Sequence, residues 1–179
     1  MRLRPRSAAT ANAQKTSPMA ALPAAERLLL DNQMCFALYS ASLTMTKVYK
    51  PLLEKLGLTY PQYLVMLVLW EQDRRSVSAL GERLFLDSGT LTPLLKRLEA
   101  LAFITRTRDV SDERRVIVAL TTAGKRAQKQ ALAVPLHVSC ATECSLPELK
   151  SLTSQLGELR AALIRSADRT GDNGVKTQS

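Results

Sequence analysis

The chain has 179 residues, of which 46% are hydrophobic and 23% are charged, the balance of a globular domain that is long enough to bury a core. Its longest charge-free stretches, 32–46 and 56–70, are shorter than the roughly 18 apolar residues that a membrane-spanning helix needs, so we exclude an integral membrane protein. The net charge of +9 favours a polyanionic partner, and a single histidine argues against histidine-based metal sites and Ser-His-Asp chemistry.

Cysteine usage and the N-terminus bear on the compartment. The three cysteines, Cys35, Cys140 and Cys144, are too few and too unevenly spaced for a secreted disulfide scaffold. No apolar stretch follows the first arginines, so the sequence lacks the pattern of a signal peptide. We therefore expect a cytoplasmic protein without metal or cofactor, in which a cysteine with a function would carry redox or nucleophilic chemistry.

In chain order, residues 1–23 predict a disordered basic extension, because they hold three prolines and no acidic residue. Their composition also resembles a transit peptide, the less favoured interpretation. Residues 24–58 predict N-terminal dimerisation helices, with apolar side chains at helical spacing from 24 to 50. Pro51 is expected to kink or restart this element, and Gly57 to end it.

A capping-box spacing, Thr59 to Gln62, predicts the start of a second helix, which is apolar nearly all round as far as Trp70 and therefore central and buried. A short helix over 77–84 follows, with Ser76 as its cap. A tight connection over residues 85–87 leads into another helix that ends near residue 100. Its predicted inward stripe is Leu91, Leu94, Leu95, Leu98 and Leu101. Pro93 fits this helix only if the regular turns begin near residue 90 or 92.

The period then changes from helix to strand. Residues 103–108 and 115–120 are rich in Ile, Val and Thr and flank a polar tip, which predicts a β-hairpin. Thr121 caps a predicted long helix that runs to the region of His137. Ser145 and Glu148 repeat the capping-box spacing and open a final helix to about residue 165. We thus expect a winged helix-turn-helix domain over 59–121, C-terminal dimerisation helices over 122–165 and a flexible tail over 166–179.

A short helix, a tight turn, a second helix and a basic hairpin together make a winged helix-turn-helix, the motif that places a helix in the major groove of DNA. Between Ser88 and Gln130 there are nine basic and four acidic residues. Their net charge of +5 is more than half of the net charge of the whole chain. The alternative is an ordinary solvated face. The candidate DNA-contacting residues are Ser88, Thr90, Thr92, Lys96, Arg97, Arg106, Arg108, Asp112, Arg114 and Arg115.

The stretch from Leu86 to Glu99 resembles the recognition helix of the MarR family of regulators, and Asp112-Glu-Arg-Arg115 resembles the wing signature of that family. The resemblance covers about residues 26–165. It implies that Arg114 enters the minor groove of double-stranded operator DNA and that Asp112 orients it. It also implies a mainly α-helical homodimer with a small β-hairpin wing, in which outer helices from both chain ends form the interface.

The tyrosines set Cys35 apart from an ordinary small core residue. All four tyrosines of the chain fall between positions 39 and 63, and Cys35, Tyr39 and Tyr49 would share one face of a continuous helix. Tyr49 lies about 21 Å along such a helix from Cys35, so it can contact only the Cys35 of an antiparallel partner chain. Phenolic hydroxyls can hold a reactive thiolate there; simple aromatic packing at the interface is the alternative.

This pattern resembles one branch of the MarR family, the organic hydroperoxide resistance regulators, in which a cysteine of the first helix senses peroxide. The resemblance implies that Cys35 is the redox sensor and that Tyr39, Tyr49 and Tyr60 surround it, supplied largely by the partner subunit. The distal cysteines resemble those of the two-cysteine members. The resemblance favours Cys140 of the other subunit as the resolving residue and Cys144 as the less favoured choice. Both cysteines are expected on one helical face; the alternative is that they are buried helix residues.

Two hypotheses of regulation and one of catalysis remain open. In the first, an organic hydroperoxide oxidises Cys35 and the repressor releases its operator. In the second, a non-covalent phenolic or other small ligand controls a MarR-type repressor. The third, a thiol peroxidase, would be distinguished by many turnovers per protein, and we expect the protein not to be an enzyme.

Overall fold

The structure, a computed structural model, describes residues 17–173, with side chains to residue 169. Within this range the elements are α1 Met34–Glu54, α2 Tyr60–Glu71, β1 Arg75–Ser76, α3 Val77–Leu84, α4 Ser88–Ala100, β2 Ile104–Arg108, β3 Val116–Leu120, α5 Thr122–Ala131, α6 Ala133–Ala141 and α7 Leu146–Asn173. The expected class, mainly α-helical with a β-hairpin wing, is confirmed. The chain divides into two units, residues 1–44 and 45–179, so the boundary falls inside α1.

The first unit begins its α-helix later than the apolar pattern predicts. Residues 18–32 form three short 3-10 turns, and α1 starts only at Met34. Polar side chains take the backbone acceptors that a helix would use: the Gln33 amide donates to the carbonyl of Arg27 at 2.7 Å and the Asn32 amide to that of Glu26 at 2.9 Å. The extension predicted as disordered to residue 23 contains one of these turns, and its residues 1–16 lie outside the described residues.

The end of α1 follows the expected glycine stop. Gly57 has φ 68, and the N–H groups of Gly57 and Leu58 donate to the carbonyls of Glu54 and Leu53, both at 3.0 Å. This pair of hydrogen bonds is a Schellman cap, which requires a residue with a left-handed backbone. Pro51 does not interrupt α1, although its ring removes one backbone donor from the helix.

The core of the second unit is built around α2. Residues of this helix that the pattern placed at the centre are buried, including Tyr63, Val65 and Met66. The predicted capping box is present, with the Thr59 N–H donating to the Gln62 side chain at 2.8 Å. At the other end, the Trp70 indole N–H donates to the carbonyl of Gly124 at 3.0 Å and thereby ties α2 to α5.

The helix-turn-helix and the wing follow in the expected order. Ser76 caps α3 by accepting the N–H of Ala79 at 3.2 Å. The hairpin strands β2 and β3 pair antiparallel, and β1, which the sequence analysis missed, adds to β3 to give the sheet order β1-β3-β2. The Asp73 carboxylate accepts the N–H of Leu120 at 2.8 Å, which fixes the base of the wing to the end of α2.

Three expectations for the C-terminal region are wrong. The single long helix after Thr121 is split at Leu132, because Pro135 lacks the N–H that would bond the Ala131 carbonyl. Cys140 and Cys144 do not share a helical face. Cys140 lies in the last turn of α6, whereas Cys144 follows a reversal at Glu143, φ 55. The last helix continues past residue 165 to 173, because each residue added to a formed helix costs little.

Candidate nucleic-acid interface and thiol site

Helix α4 buries one face and leaves a polar face outside. Asp87 caps it, accepting the backbone N–H of Thr90 at 2.9 Å and the Thr90 hydroxyl at 2.8 Å. These hydrogen bonds lower the pKa of Asp87. The Thr92 hydroxyl donates to the Ser88 carbonyl at 2.7 Å, so the hydroxyl oxygens of Thr90 and Thr92 can each still accept a hydrogen bond from a ligand. Of the polar residues predicted to face DNA, Ser88, Thr90, Lys96 and Arg97 are exposed, and Thr92 is half-buried.

The apolar face of α4 agrees with the predicted stripe in its centre. Leu91, Leu95 and Leu98 are buried, whereas Leu101 is 44% exposed and does not belong to the stripe. The helix starts at Ser88, earlier than Pro93 was expected to allow. Proline at this sixth position removes the donor for the Gly89 carbonyl, and the helix tolerates the loss because Asp87 secures its first turn.

The tip of the wing is organised by Asp109, which is not among the predicted DNA-contacting residues. Its carboxylate accepts the N–H of Ser111 at 3.0 Å and the Ser111 hydroxyl at 2.7 Å, and these bonds lower the pKa of Asp109. It also lies 3.8 Å from the guanidinium of Arg115. Asp112 accepts the backbone N–H of Arg114 at 3.1 Å. The sequence does contain a signal for this role of Asp109: an Asp two residues before a Ser, at 109–111, is typical of a turn in which the Asp side chain accepts the backbone N–H two residues on.

Arg106 forms an ion pair with α4 and is only partly exposed, with 25% of its side-chain surface accessible. Its Nη2 and Nε atoms lie 2.6 and 3.0 Å from one carboxylate oxygen of Glu99, and the guanidinium lowers the pKa of that acid. This ion pair joins the wing to α4, so Arg106 positions the wing instead of offering a free charge. Arg108, Arg114 and Arg115 are exposed on the hairpin.

One cavity brings the predicted residues of α4 and the wing together. It has a volume of about 610 Å³, and its lining includes Ser88, Thr92, Arg106, Arg114 and Arg115. Hydroxyl groups of a helix thus lie beside guanidinium groups of a hairpin around a single concave surface. Hydrogen-bonding groups and fixed positive charges in this arrangement suit the base edges and phosphates of a duplex.

The candidate thiol residues fall in both units. In the first unit, Cys35 is an exposed free cysteine in the first turn of α1, and Tyr39 is exposed one turn later. In the second unit, the ring of Tyr49 lies 4.7 Å from that of Tyr60 and 5.9 Å from that of Tyr63. Burial, with the neighbouring phenols adding to it, raises the pKa of Tyr49 to about 12. Tyr63 is the third member of this tyrosine cluster, although it is not among the tyrosines predicted to surround the thiol.

The two distal cysteines differ in environment. Cys140 is exposed, whereas Cys144 is half-buried and its thiol donates to the Thr142 carbonyl at 3.3 Å. Among residues 17–173, no group of three His, Cys, Asp or Glu side chains is arranged to hold a metal ion. None of the helices in this range has both the length and the apolar run that a membrane crossing requires.

Comparisons with known proteins give consistent results. A family profile described as transcriptional regulator SarA/Rot matches residues 47–131. The chain is 47% identical over 138 residues to the organic hydroperoxide resistance transcriptional regulator of Bacillus subtilis (strain 168), and the match covers 77% of this chain and 94% of that protein.

Solved structures of AbfR, a protein of Staphylococcus epidermidis, are also similar. Reduced AbfR bound to DNA matches with a TM-score of 0.61 and 38% identity, covering 75% of this chain and 95% of that chain. Disulfide-formed AbfR matches with a TM-score of 0.54 at the same identity and coverage.

Proposed function

The chain belongs to the MarR-type organic hydroperoxide resistance transcriptional regulators, and on that premise we propose that it is a repressor that an organic hydroperoxide switches off by oxidising Cys35. As a member of this family it is a DNA-binding transcriptional regulator. The finer steps, namely the operator contacts, the dimer, the oxidant and the disulfide, form the proposal and are argued in turn below.

The shared cavity of α4 and the wing is the observation that carries the DNA-binding part. Because Ser88 and Thr92 lie around the same space as Arg114 and Arg115, one duplex can contact both elements at once. We assign base reading to the exposed face of α4 and groove or phosphate binding to Arg108, Arg114 and Arg115. Asp112 acts by fixing the backbone at Arg114, and Arg106 acts by holding the wing on Glu99.

Helix α7 supports a homodimer. Its leucines recur at alternating spacings of three and four residues, the pattern of a coiled-coil seam. These residues are Leu149, Leu152, Leu156, Leu159 and Leu163. Three of them, Leu152, Leu156 and Leu163, are between 48% and 55% exposed, so a second copy would bury a continuous apolar stripe. In the proposed dimer, as the family resemblance implies, Cys35 of one subunit meets the tyrosine cluster of the other.

The proposed chemistry is a balanced two-step oxidation. The Cys35 thiolate attacks one peroxide oxygen of ROOH, the O–O bond breaks, and after proton transfer the products are a sulfenic acid and the alcohol ROH. The thiolate of Cys140 in the other subunit then attacks the sulfenic sulfur, which forms the disulfide and expels hydroxide. The hydroxide takes up the proton that the thiol had released and leaves as water. Cys144 is the less favoured resolving residue, and its bond to the Thr142 carbonyl and partial burial agree with that order. The similar protein AbfR has been solved in a disulfide form, which supports a disulfide as the oxidised state.

Operator binding measured with and without cumene hydroperoxide tests this function. The reduced protein is expected to bind, as a dimer, the DNA upstream of its own gene. It should release this DNA after oxidation and bind it again after treatment with dithiothreitol. A protein that keeps its operator after oxidation but releases it with salicylate alone would instead be a ligand-controlled MarR-type repressor. Consumption of many equivalents of hydroperoxide per protein would identify an enzyme.

A further inference from the structure

The turn between α3 and α4 contains an aromatic residue where a glycine is expected. Phe85 has φ 57 and ψ 39, and the Leu86 N–H donates to the Gly81 carbonyl at 3.0 Å to close the turn. Glycine takes this left-handed position without cost, whereas a bulky side chain is strained there. The Phe85 ring is also 57% exposed, so its own burial does not explain why an aromatic residue occupies the site.

Helix α7 provides a partner for this ring. The guanidinium carbon of Arg160 lies 4.3 Å from the centroid of the Phe85 ring, within the range of a cation–π contact. Arg160 directly follows Leu159 of the proposed coiled-coil seam. The contact therefore connects the helix that carries the seam to the turn that precedes the recognition helix.

The connection from Phe85 to the DNA-reading face is short. Asp87, the cap of α4, is two residues beyond Phe85, and the cap in turn holds Thr90. The turn is also packed closely against α3 at Gly81, because a Cβ at that position would lie 2.8 Å from the Leu86 carbonyl oxygen. A shift of the Phe85 ring is thus passed to the first turn of α4 rather than absorbed by the loop.

We propose that Arg160 is a positioning residue for operator binding: by holding Phe85 it fixes the turn before the recognition helix to α7. The proposal deepens the proposed function and rests on it. In the proposed dimer, the seam sets the distance between the two recognition helices. The Arg160–Phe85 contact keeps each recognition helix at a fixed position relative to that seam. Since α7 begins at Leu146, two residues after Cys144, with about 21 Å of helix between Leu146 and Arg160, a disulfide that displaces this segment also displaces Phe85.

The test compares R160M with R165M, a control on the same helix, by operator binding over a series of salt concentrations. We expect R160M to bind about two- to five-fold more weakly, the range that a partly exposed cation–π contact supplies. Because Arg160 acts through Phe85, the slope of log affinity against log salt should stay unchanged. A slope reduced by about one unit would instead mean a direct phosphate contact and would overturn the proposal. R160K, which keeps the cation, should recover part of the affinity.

A second variant separates positioning from folding. F85G removes the ring and relieves the strained backbone, so it should unfold at an equal or higher temperature than the native protein yet lose the same fraction of affinity as R160M. The double variant F85G/R160M should lose no more than either single variant. Additive losses, or native affinity in R160M, would refute the inference. Failure of the native protein itself to bind its operator would refute the proposed function instead.

Discussion

At the scale of single residues, Cys35 is the simplest to test. It is exposed in the first turn of α1, so serine replaces it without disturbing a packed core. We expect C35S to bind operator like the native protein and to stay bound when an organic hydroperoxide is added, because a hydroxyl group is not oxidised as a thiolate is. Electrophoretic mobility shifts at matched peroxide concentrations measure this. Release of the operator by C35S would locate the sensing residue elsewhere.

Arg114 tests the wing. Its side chain is exposed at the hairpin tip, where Asp112 fixes its backbone. Replacing it by alanine should weaken operator binding by about 1 to 3 kcal/mol, the value of a well-placed groove contact. Arg165→Ala is the matched control, since it removes the same charge from the last helix. Fluorescence anisotropy with labelled operator compares the two, and equal affinities would mean that the wing tip does not contact DNA.

The raised pKa of Tyr49 predicts that the stability of the folded protein falls at alkaline pH. Burial and the neighbouring phenols raise the pKa of Tyr49 to about 12 in the folded chain, above its ordinary value of 10.0. A raised pKa means that the folded state holds the proton more tightly, so this contribution to stability is complete below pH 10 and is lost as the pH rises towards 12. Denaturation midpoints across this range should fall less steeply for Y49F than for the native protein. Identical slopes would contradict the burial of this phenol.

At the scale of elements, the turn between α3 and α4 depends on Gly81. A Cβ at this position would lie 2.8 Å from the carbonyl oxygen of Leu86, so alanine forces the two helices apart. We expect Gly81→Ala to lower the free energy of unfolding by about 1 to 3 kcal/mol, the usual cost of overpacking.

Gly157→Ala in α7 is the control for Gly81→Ala, because no atom lies within 4 Å of its added Cβ. Alanine favours a helix interior over glycine by up to about 1 kcal/mol, so this variant should be stabilised. Urea denaturation followed by circular dichroism measures both variants. A Gly81→Ala protein as stable as the native one would mean that the turn relaxes freely.

Helices with strong local signals could be predicted from the sequence. The pairs Thr59 and Gln62, and Ser145 and Glu148, mark the starts of α2 and α7, because capping is a contact between residues close in sequence. The two-residue strand β1 could not be predicted, because only its pairing with β3 makes it a strand. The reversal at Glu143 could not be predicted either, since it uses a left-handed backbone without glycine.

The sequence predicts which residues belong to the candidate site better than it predicts which residues contact one another there. The exposed arginines of the wing follow from a hairpin with a basic tip, whereas the pairing of Arg106 with Glu99 depends on how the hairpin packs against α4. Tyr60 and Tyr63 are three residues apart on α2 and therefore share one face of that helix. Tyr49 joins them because α1 and α2 pack together in the second unit, which sequence spacing does not show. The Cys35 assignment stays a prediction that the proposed experiments test.

At the scale of the whole molecule, the surface indicates two partners of opposite character. Positive charge is concentrated in the stretch from Ser88 to Gln130, and three of its arginines, Arg106, Arg114 and Arg115, line the cavity of α4 and the wing, which suits a polyanion. Apolar side chains are exposed along α7, which suits a second copy of the chain. A two-fold dimer presents two such basic surfaces to the two halves of a palindromic operator, so DNA affinity and dimerisation should be lost together.

The covalent state of the oxidised dimer is the last prediction. A sulfenic acid at Cys35 is trapped by a nearby thiol, and we place the resolving thiol, Cys140, on the other subunit. Oxidised protein should therefore migrate as a covalent dimer on non-reducing gels and return to monomer with reductant. C140S should abolish this dimer and accumulate the sulfenic form, which dimedone labels. C144S should leave the dimer largely intact, since the half-buried Cys144 thiol is bonded to the Thr142 carbonyl.

The two distal variants distinguish the alternatives for resolution. A covalent dimer that persists in C140S and disappears in C144S would transfer the resolving role to Cys144, which follows the turn at Glu143 rather than lying in α6. A monomeric band in the oxidised native protein would mean either a single-cysteine mechanism or a disulfide within one subunit. Peptide mapping separates these two, because only the second yields a cross-linked pair of peptides containing Cys35. If the disulfide joins two subunits, the cross-linked peptides containing Cys35 should be found only in the dimer band. If it lies within one subunit, they should be found in the monomer band.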